Sequence, residues 1–254
     1  MYIDVDVEFG RAVEAVGGIR ADSLPRGTFP GKNADYVFHE HRVVAELKCL
    51  DKDRIHDEKA VAIASKHYAD ALERGKAPVV VFGTTTLTTD GFEDDFRQKI
   101  MEIYSPGISR SIRDADLQIA DTKLALGLSD YKGLLLLVNN SNSALHPANM
   151  VELVGNALRP TTTFPNINSA IIFTVNMYSD YKGKDTHIWY SGNRFGISPI
   201  DDEFERKLQE AWFRHHSVLV GQPIETIRGS RSMLSELENY NQLSGPRKGK
   251  GDHG

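Results

Sequence analysis

Two uninterrupted apolar runs, Gly133-Leu-Leu-Leu-Leu-Val138 and Ala170-Ile-Ile-Phe-Thr-Val175, constrain the fold of this chain more than any other feature. Each is strand-sized and far short of the roughly 20 residues that a membrane helix needs. Each also follows a stretch with helical character. Ile112, Ala115, Ile119 and Leu126 share one helical face before the first run, with Gly127 placed to stop the helix. Pro147 to Leu158 precedes the second, with proline suited to a first turn. An earlier unit has the same form: Val61, Ala64, Tyr68 and Leu72 make an apolar face ended by Gly75, and a β-branched strand follows at 77–82. A first helix is expected over Val5–Val16, ended by Gly17-Gly18, and a last one from Asp201 to about His215. Ala21 to Lys32, with two prolines, reads as a connection or a weak strand, and a further strand is expected near Thr186–Tyr190. The sum is an α/β chain with a mixed sheet, forming a single domain over 1–243. The stretch SGPRKGKGDHG, from Ser244 to Gly254, lacks apolar periodicity and is expected to be a disordered basic tail.

Composition narrows the chemistry. With 254 residues and 40% hydrophobic content, the chain can bury a real core. No apolar run can span a bilayer, and the acids in MYIDVDVEFG stand where a signal peptide would carry basic residues. Cys49 is the only cysteine, so neither an internal disulfide nor a cysteine zinc cage can form, and a reducing cytoplasm fits. A net charge of -5 gives no global attraction to nucleic acid, although a local basic cleft can exist within an acidic whole.

Charge in the wrong place marks the candidate site. The segment NADYVFHEHRVVAELKCL, from Asn33 to Leu50, reads as two apolar strands around a polar turn, yet both strands carry charged residues. A hairpin whose turn centres between Glu40 and His41 sets Asp35 opposite Glu46 and Val37 opposite Val44. Facing residues have Cβ atoms about 4.5–5.5 Å apart, and Lys48 shares their face two residues beyond Glu46. Ala34, Tyr36 and Phe38 with Ala45, Leu47 and Cys49 would form the opposite, core face. Two carboxylates so close repel unless one takes a proton or a cation lies between them. A hard divalent ion suits their oxygens, and Mg²⁺ also accepts phosphate oxygens and lowers the pKa of water. Lys48 could orient an attacking water or neutralise developing charge. These are parts of a phosphodiesterase.

Asp35 followed eleven positions later by Glu46-Leu47-Lys48, on consecutive strands after an N-terminal helix, resembles the PD-(D/E)XK nuclease superfamily. The match covers mainly residues 1–140, and Ala34 replaces the usual proline before the first acid. The resemblance implies a restriction-endonuclease-like αβββαβ core, here with a C-terminal α/β extension. It implies that Asp35, Glu46 and the carbonyl of Leu47 ligate Mg²⁺, with Mn²⁺ as a substitute, and that Lys48 assists the water. Some members add an acid from the first helix, which Glu8 would supply. Others place a glutamine on the helix after the motif strand, as Gln118 would be if the helix over 112–126 and the strand over 133–139 complete the core. Residues 55–107 are then an insertion. If the helix from Asp57 and the strand at 78–82 complete it instead, Gln118 loses that role; the long strand after the Gln118 helix favours the first arrangement.

The implied activity is metal-dependent phosphodiester hydrolysis of nucleic acid, DNA before RNA and endonuclease before exonuclease. Lys32, Arg42, Lys52 and Arg54 near the motif, with Arg110 and Arg113 at the start of the Gln118 helix, are candidate phosphate contacts. A homodimer would suit an enzyme that cuts both strands. Two rivals stand beside this reading: a silent nucleic-acid- or protein-binding subunit of the same fold, and a hydrolase using Asp35 and Glu46 as an acid/base pair, which Lys48 fits poorly. His39-Glu40-His41 belongs to the turn, His215-His216 to a solvent-facing helix end, and no phosphate-binding loop or GxSxG elbow is present.

Overall fold

The computed structural model describes residues 2–25, 31–50, 58–75, 106–140, 142, 145–160, 162–182, 184–221, 224 and 229–242. The expected strand at 77–82, most of the expected insertion, Lys52, Arg54 and the tail lie outside the described residues.

Helix α1 (Val5–Ala15) starts where the Asp4 side chain accepts the Val7 amide, and Gly17 ends it in the left-handed region. The two-residue β1 (Ile19–Arg20) and a short 3₁₀ turn follow. Next comes the hairpin of β2 (Tyr36–Phe38) and β3 (Val43–Leu50), in the register expected from the sequence, with Tyr36 opposite Ala45 and Val37 opposite Val44. Helix α2 (Glu58–Glu73) precedes α3 (Pro106–Leu126), which leads into β4 (Lys132–Asn139). Then come α4 (Pro147–Leu158), β5 (Ser169–Thr174), β6 (Met177–Tyr181), β7 (Lys184–Thr186), β8 (Trp189–Asn193), α5 (Asp202–Val220) and β9 (Glu238–Gln242).

The main sheet is mixed and six-stranded, in the order β1-β2-β3-β4-β5-β8. β3, β4 and β5 run parallel, and the outer pairings are antiparallel. Both apolar runs thus become central strands covered on each face, which is why they carry no polar alternation. Phe9, Tyr36, Phe38, Leu47, Leu136, Phe173, Phe204 and Trp212 fill the side under α1 and α5. Val44, Leu50, Ile112, Ala115, Ile119, Leu135, Leu137 and Val154 fill the side under α3 and α4. A small second sheet has the order β7-β6-β9.

Several expectations need correction. The single strand expected near 186–190 is two strands in different sheets, because β7 ends at Thr186 and the chain runs irregularly through His187 and Ile188 before β8 joins β5. Ala34 packs on the α3 side, not with Tyr36 and Phe38, because β2 begins only at Tyr36 and strand alternation does not reach back to it. The face bearing Val44 and Glu46 is covered by α3. On α2, among the residues whose burial is described, Ala71 is the one apolar residue fully buried, while Val61 and Leu72 are exposed: helical spacing shows a stripe but not a partner to cover it. Helix α5 runs on to Val220, so His216 lies inside the helix and is fully buried instead of facing solvent.

Candidate functional site

The hairpin opens where β2 stops. Tyr36 is the last residue of β2 to pair with β3, so the next facing pair, Asp35 and Glu46, lies at a gap in the sheet. Here side chains replace the backbone ladder. Glu46 Oε2 accepts the Asp35 amide at 3.1 Å, and Asp35 Oδ2 accepts the Leu47 amide at 2.8 Å. The N–H and C=O of one strand residue point to the same side, so the Leu47 carbonyl faces the same gap.

Glu46 is only 1% exposed. Its other oxygen, Oε1, is paired with Lys48 Nζ. Lys48 Nζ also donates to Gln118 Oε1 at 2.5 Å, and Gln118 Nε2 donates to the Asn33 carbonyl at 2.9 Å. One turn further along α3, the Thr122 hydroxyl accepts the Ala34 amide at 2.7 Å. Helix α3 therefore fastens the segment leading to Asp35 at two points and the lysine at a third. It can do so because Gln118 and Thr122 are four residues apart, beside the buried stripe of Ile112, Ala115 and Ile119.

Burial pushes the Glu46 carboxyl up to about 8, and the charge of Asp35 adds to the rise, against the pull of Lys48. Burial also raises Asp35, opposed by the Leu47 amide, its bond with Glu46 and the charges of Lys48 and Arg20. The pair is thus short of positive charge. The carboxylate oxygens of Asp35 and Glu46 and the Leu47 carbonyl are hard oxygen donors gathered at one gap. No group of three or more His, Cys, Asp or Glu side chains that could hold a metal lies among the described residues. Two carboxylates, one carbonyl and solvent are nevertheless a sufficient set for Mg²⁺, which keeps several waters.

Of the residues expected at the site, Asp35, Glu46, Leu47, Lys48 and Gln118 come together. Glu8 is not drawn to them: its carboxylate pairs with Arg11 at 3.0 Å and His215 at 2.7 Å, between α1 and α5. Lys32, Arg110 and Arg113 are exposed, the two arginines on the first half of α3 ahead of Gln118. Arg42 sits at the hairpin turn, paired with Asp130 and lying over the Tyr131 ring. Three strand residues lie between it and Glu46, a span of roughly 13 Å along the chain. Sequence reasoning missed Asn33, Thr122 and Arg20. Thr122 could have been found from its i+4 spacing to Gln118; nothing in the sequence marks Arg20.

No protein-family model, no curated protein and no solved structure matches the chain. No helix among the described residues is long and apolar enough to cross a membrane.

Proposed function

We propose that this protein is a metal-dependent phosphodiesterase of the PD-(D/E)XK type acting on nucleic acid, with DNA the expected substrate and the cytoplasm its setting. The observation that carries the reading is the convergence of Asp35, Glu46, Lys48 and Gln118 from two strands and a helix into one connected cluster. Supporting it, the described elements run α1-β1-β2-β3-α2-α3-β4 with β4 parallel to β3, which fits the αβββαβ core of that resemblance if α2 is counted with the insertion over 55–107.

Asp35, Glu46 and the Leu47 carbonyl would hold Mg²⁺ or Mn²⁺. A hard divalent ion supplies Lewis acidity, lowering the pKa of an attacking water and neutralising charge on the phosphate. Lys48, held between Glu46 and Gln118, keeps its ammonium next to the carboxylates, where it can orient that water and offset charge developing on phosphorus. Gln118 acts through Lys48 and is a positioning residue. Burial of Glu46 keeps the local dielectric low, which strengthens each of these interactions.

The test is incubation of the protein and its Glu46→Ala variant with supercoiled plasmid, linear duplex, single-stranded DNA and RNA, each with Mg²⁺, Mn²⁺ or a chelator. Cleavage by the parent alone, abolished by chelation, is the expected result. Equal behaviour of the two proteins on every substrate would remove the proposal.

A further inference from the structure

Arg20 is among the charges that act on Asp35, and it stands on the α1 face of the sheet, opposite the α3 face that holds Lys48. In β1 it pairs opposite Tyr36, and the amide of the next residue, Ala21, donates to the Asp35 carbonyl at 2.8 Å. Tyr36 faces α1, and the Arg20 side chain runs to the same helix, where Nη1 donates to the Asp6 carbonyl at 3.0 Å. Nε meets Asp22 Oδ1 at 3.4 Å. The guanidinium crosses α1 at Gly10, where a Cβ would stand 2.5 Å from Nη1. A side chain at that position would displace the group, so the bare helix surface fixes its path.

A guanidinium has five N–H donors. Two are used here, which leaves both on Nη2 and one on Nη1 without a partner among the described residues. The side chain is one-third exposed. An arginine serving only to tie β1 to α1 would be complete with the Asp6 and Asp22 contacts. Here a fixed fork with spare donors belongs to the residue before Ala21, whose amide holds the Asp35 backbone, and its charge acts on the half-buried Asp35, while Lys48 pairs with the buried Glu46 from the α3 side. Planar forks match the non-bridging oxygens of a phosphate two at a time, which a lysine cannot do.

Resting on the function proposed above, we propose that Arg20 binds the non-bridging oxygens of the phosphodiester seated at Asp35 and Glu46. The substrate phosphate is then gripped from both sides of the sheet, by Arg20 on the α1 side and Lys48 on the α3 side. Gly10 serves this grip by leaving room for the guanidinium.

The experiment measures binding of short labelled duplex and single-stranded DNA by fluorescence anisotropy across a salt series, with Ca²⁺ in place of Mg²⁺. Cleavage with Mg²⁺ is followed in parallel for the parent, R20A, R20K and G10A, and melting temperatures check the fold. R20A is expected to bind at least about tenfold more weakly, and the slope of log affinity against log salt should become shallower by about 0.9 on duplex or 0.7 on single strands. R20K should fall between parent and R20A, and G10A should weaken binding without removing any charge. A folded R20A with parental affinity and slope overturns the role of Arg20 and leaves the nuclease standing. Should R20A not fold, R20K decides: weaker binding at an unchanged melting temperature supports the role, and unchanged affinity overturns it. Binding without cleavage, lost in R20A, keeps Arg20 and removes the nuclease. A parent protein that neither binds nor cleaves removes both.

Discussion

Asp35 and Glu46 exchange backbone amides across the opening in the hairpin: the Glu46 carboxylate takes the amide of Asp35, and the Asp35 carboxylate takes the amide of the residue after Glu46. Each acid is therefore oriented by the strand that bears the other. The geometry survives without a cation, but the electrostatics do not favour it. A buried and a half-buried carboxylate lie together with Lys48 as the one cation paired to them among the described residues, and protonation of Glu46 is the relief open to the protein alone.

This sets a pH dependence with a definite sign. The Glu46 carboxyl titrates near 8 when folded against an ordinary value of 4.5, so between these values the folded state holds the proton more tightly. Metal-free stability should therefore fall as pH rises through that window and level off above it. Thermal unfolding from pH 6.5 to 8.5 tests this, and the upper part of that range lies clear of the ordinary value of 6.5 at which His216 titrates in the unfolded chain. Mg²⁺ should raise the melting temperature more at pH 8.5 than at pH 6.5, because it takes the place of the proton. Glu46→Gln should flatten the metal-free curve; an equally steep curve in that variant would place the dependence elsewhere.

Lys48 and Gln118 should separate by magnitude. Lys48→Met removes the ammonium beside the carboxylates and should lower kcat by about 100-fold or more, the range of a positioned proton-handling group. Gln118→Ala leaves the Glu46 contact in place and frees the lysine from α3, so kcat should drop about tenfold with little change in KM. Steady-state cleavage of a defined duplex distinguishes the two. A Gln118→Ala enzyme that loses KM instead would make Gln118 a substrate contact.

Thr122 is a test of how α3 holds the approach to Asp35. Thr122→Val keeps the shape but strips the acceptor from the buried Ala34 amide, which should cost about 1–3 kcal/mol of stability. Thr122→Ser should restore most of it. Urea unfolding of the three proteins measures the difference, and a neutral Thr122→Val would show that Ala34 finds another partner.

The parts legible in the sequence were those fixed by local pattern. The hairpin register followed from alternation around a polar turn, and the α3–β4 and α4–β5 units followed from a helical stripe preceding an apolar run. What escaped depended on where an element stops or on what lies across a gap. Ala34 changed sides because β2 is only three residues long. Thr186 and Trp189 went to different sheets because two residues of irregular chain, His187 and Ile188, look the same as strand in a β-branched, aromatic stretch. Lys48 meeting Gln118 was visible through family resemblance alone, since seventy residues separate them. Arg20 was invisible because a two-residue strand has no periodicity.

His216 shows how a misplaced helix end changes the chemistry assigned to a residue. It was expected at a solvent-facing end, where a charged imidazolium would favour the helix dipole. Instead α5 continues to Val220, and the ring stacks on Trp212 at 5.0 Å and meets His187 edge-on at 4.6 Å. Neither ring nitrogen has a hydrogen-bond partner among the described residues. Burial, with the neighbouring His187 and His215, pushes its pKa down to about 3. Below its ordinary value of 6.5 the unfolded chain takes up a proton that the folded one refuses. This contribution to stability is therefore complete above pH 6.5 and is lost as pH falls toward 3, the opposite sign to that of Glu46. His216→Phe keeps the volume and the stacking and removes both unpartnered nitrogens, so it should raise the melting temperature and make the decline between pH 6.5 and 4 shallower. Thermal unfolding of parent and variant at pH 7 and pH 4.5 decides it: the variant's advantage should be larger at pH 4.5. Equal differences at the two pH values would mean that His216 can protonate in place, with a partner or a water inside the α5 packing.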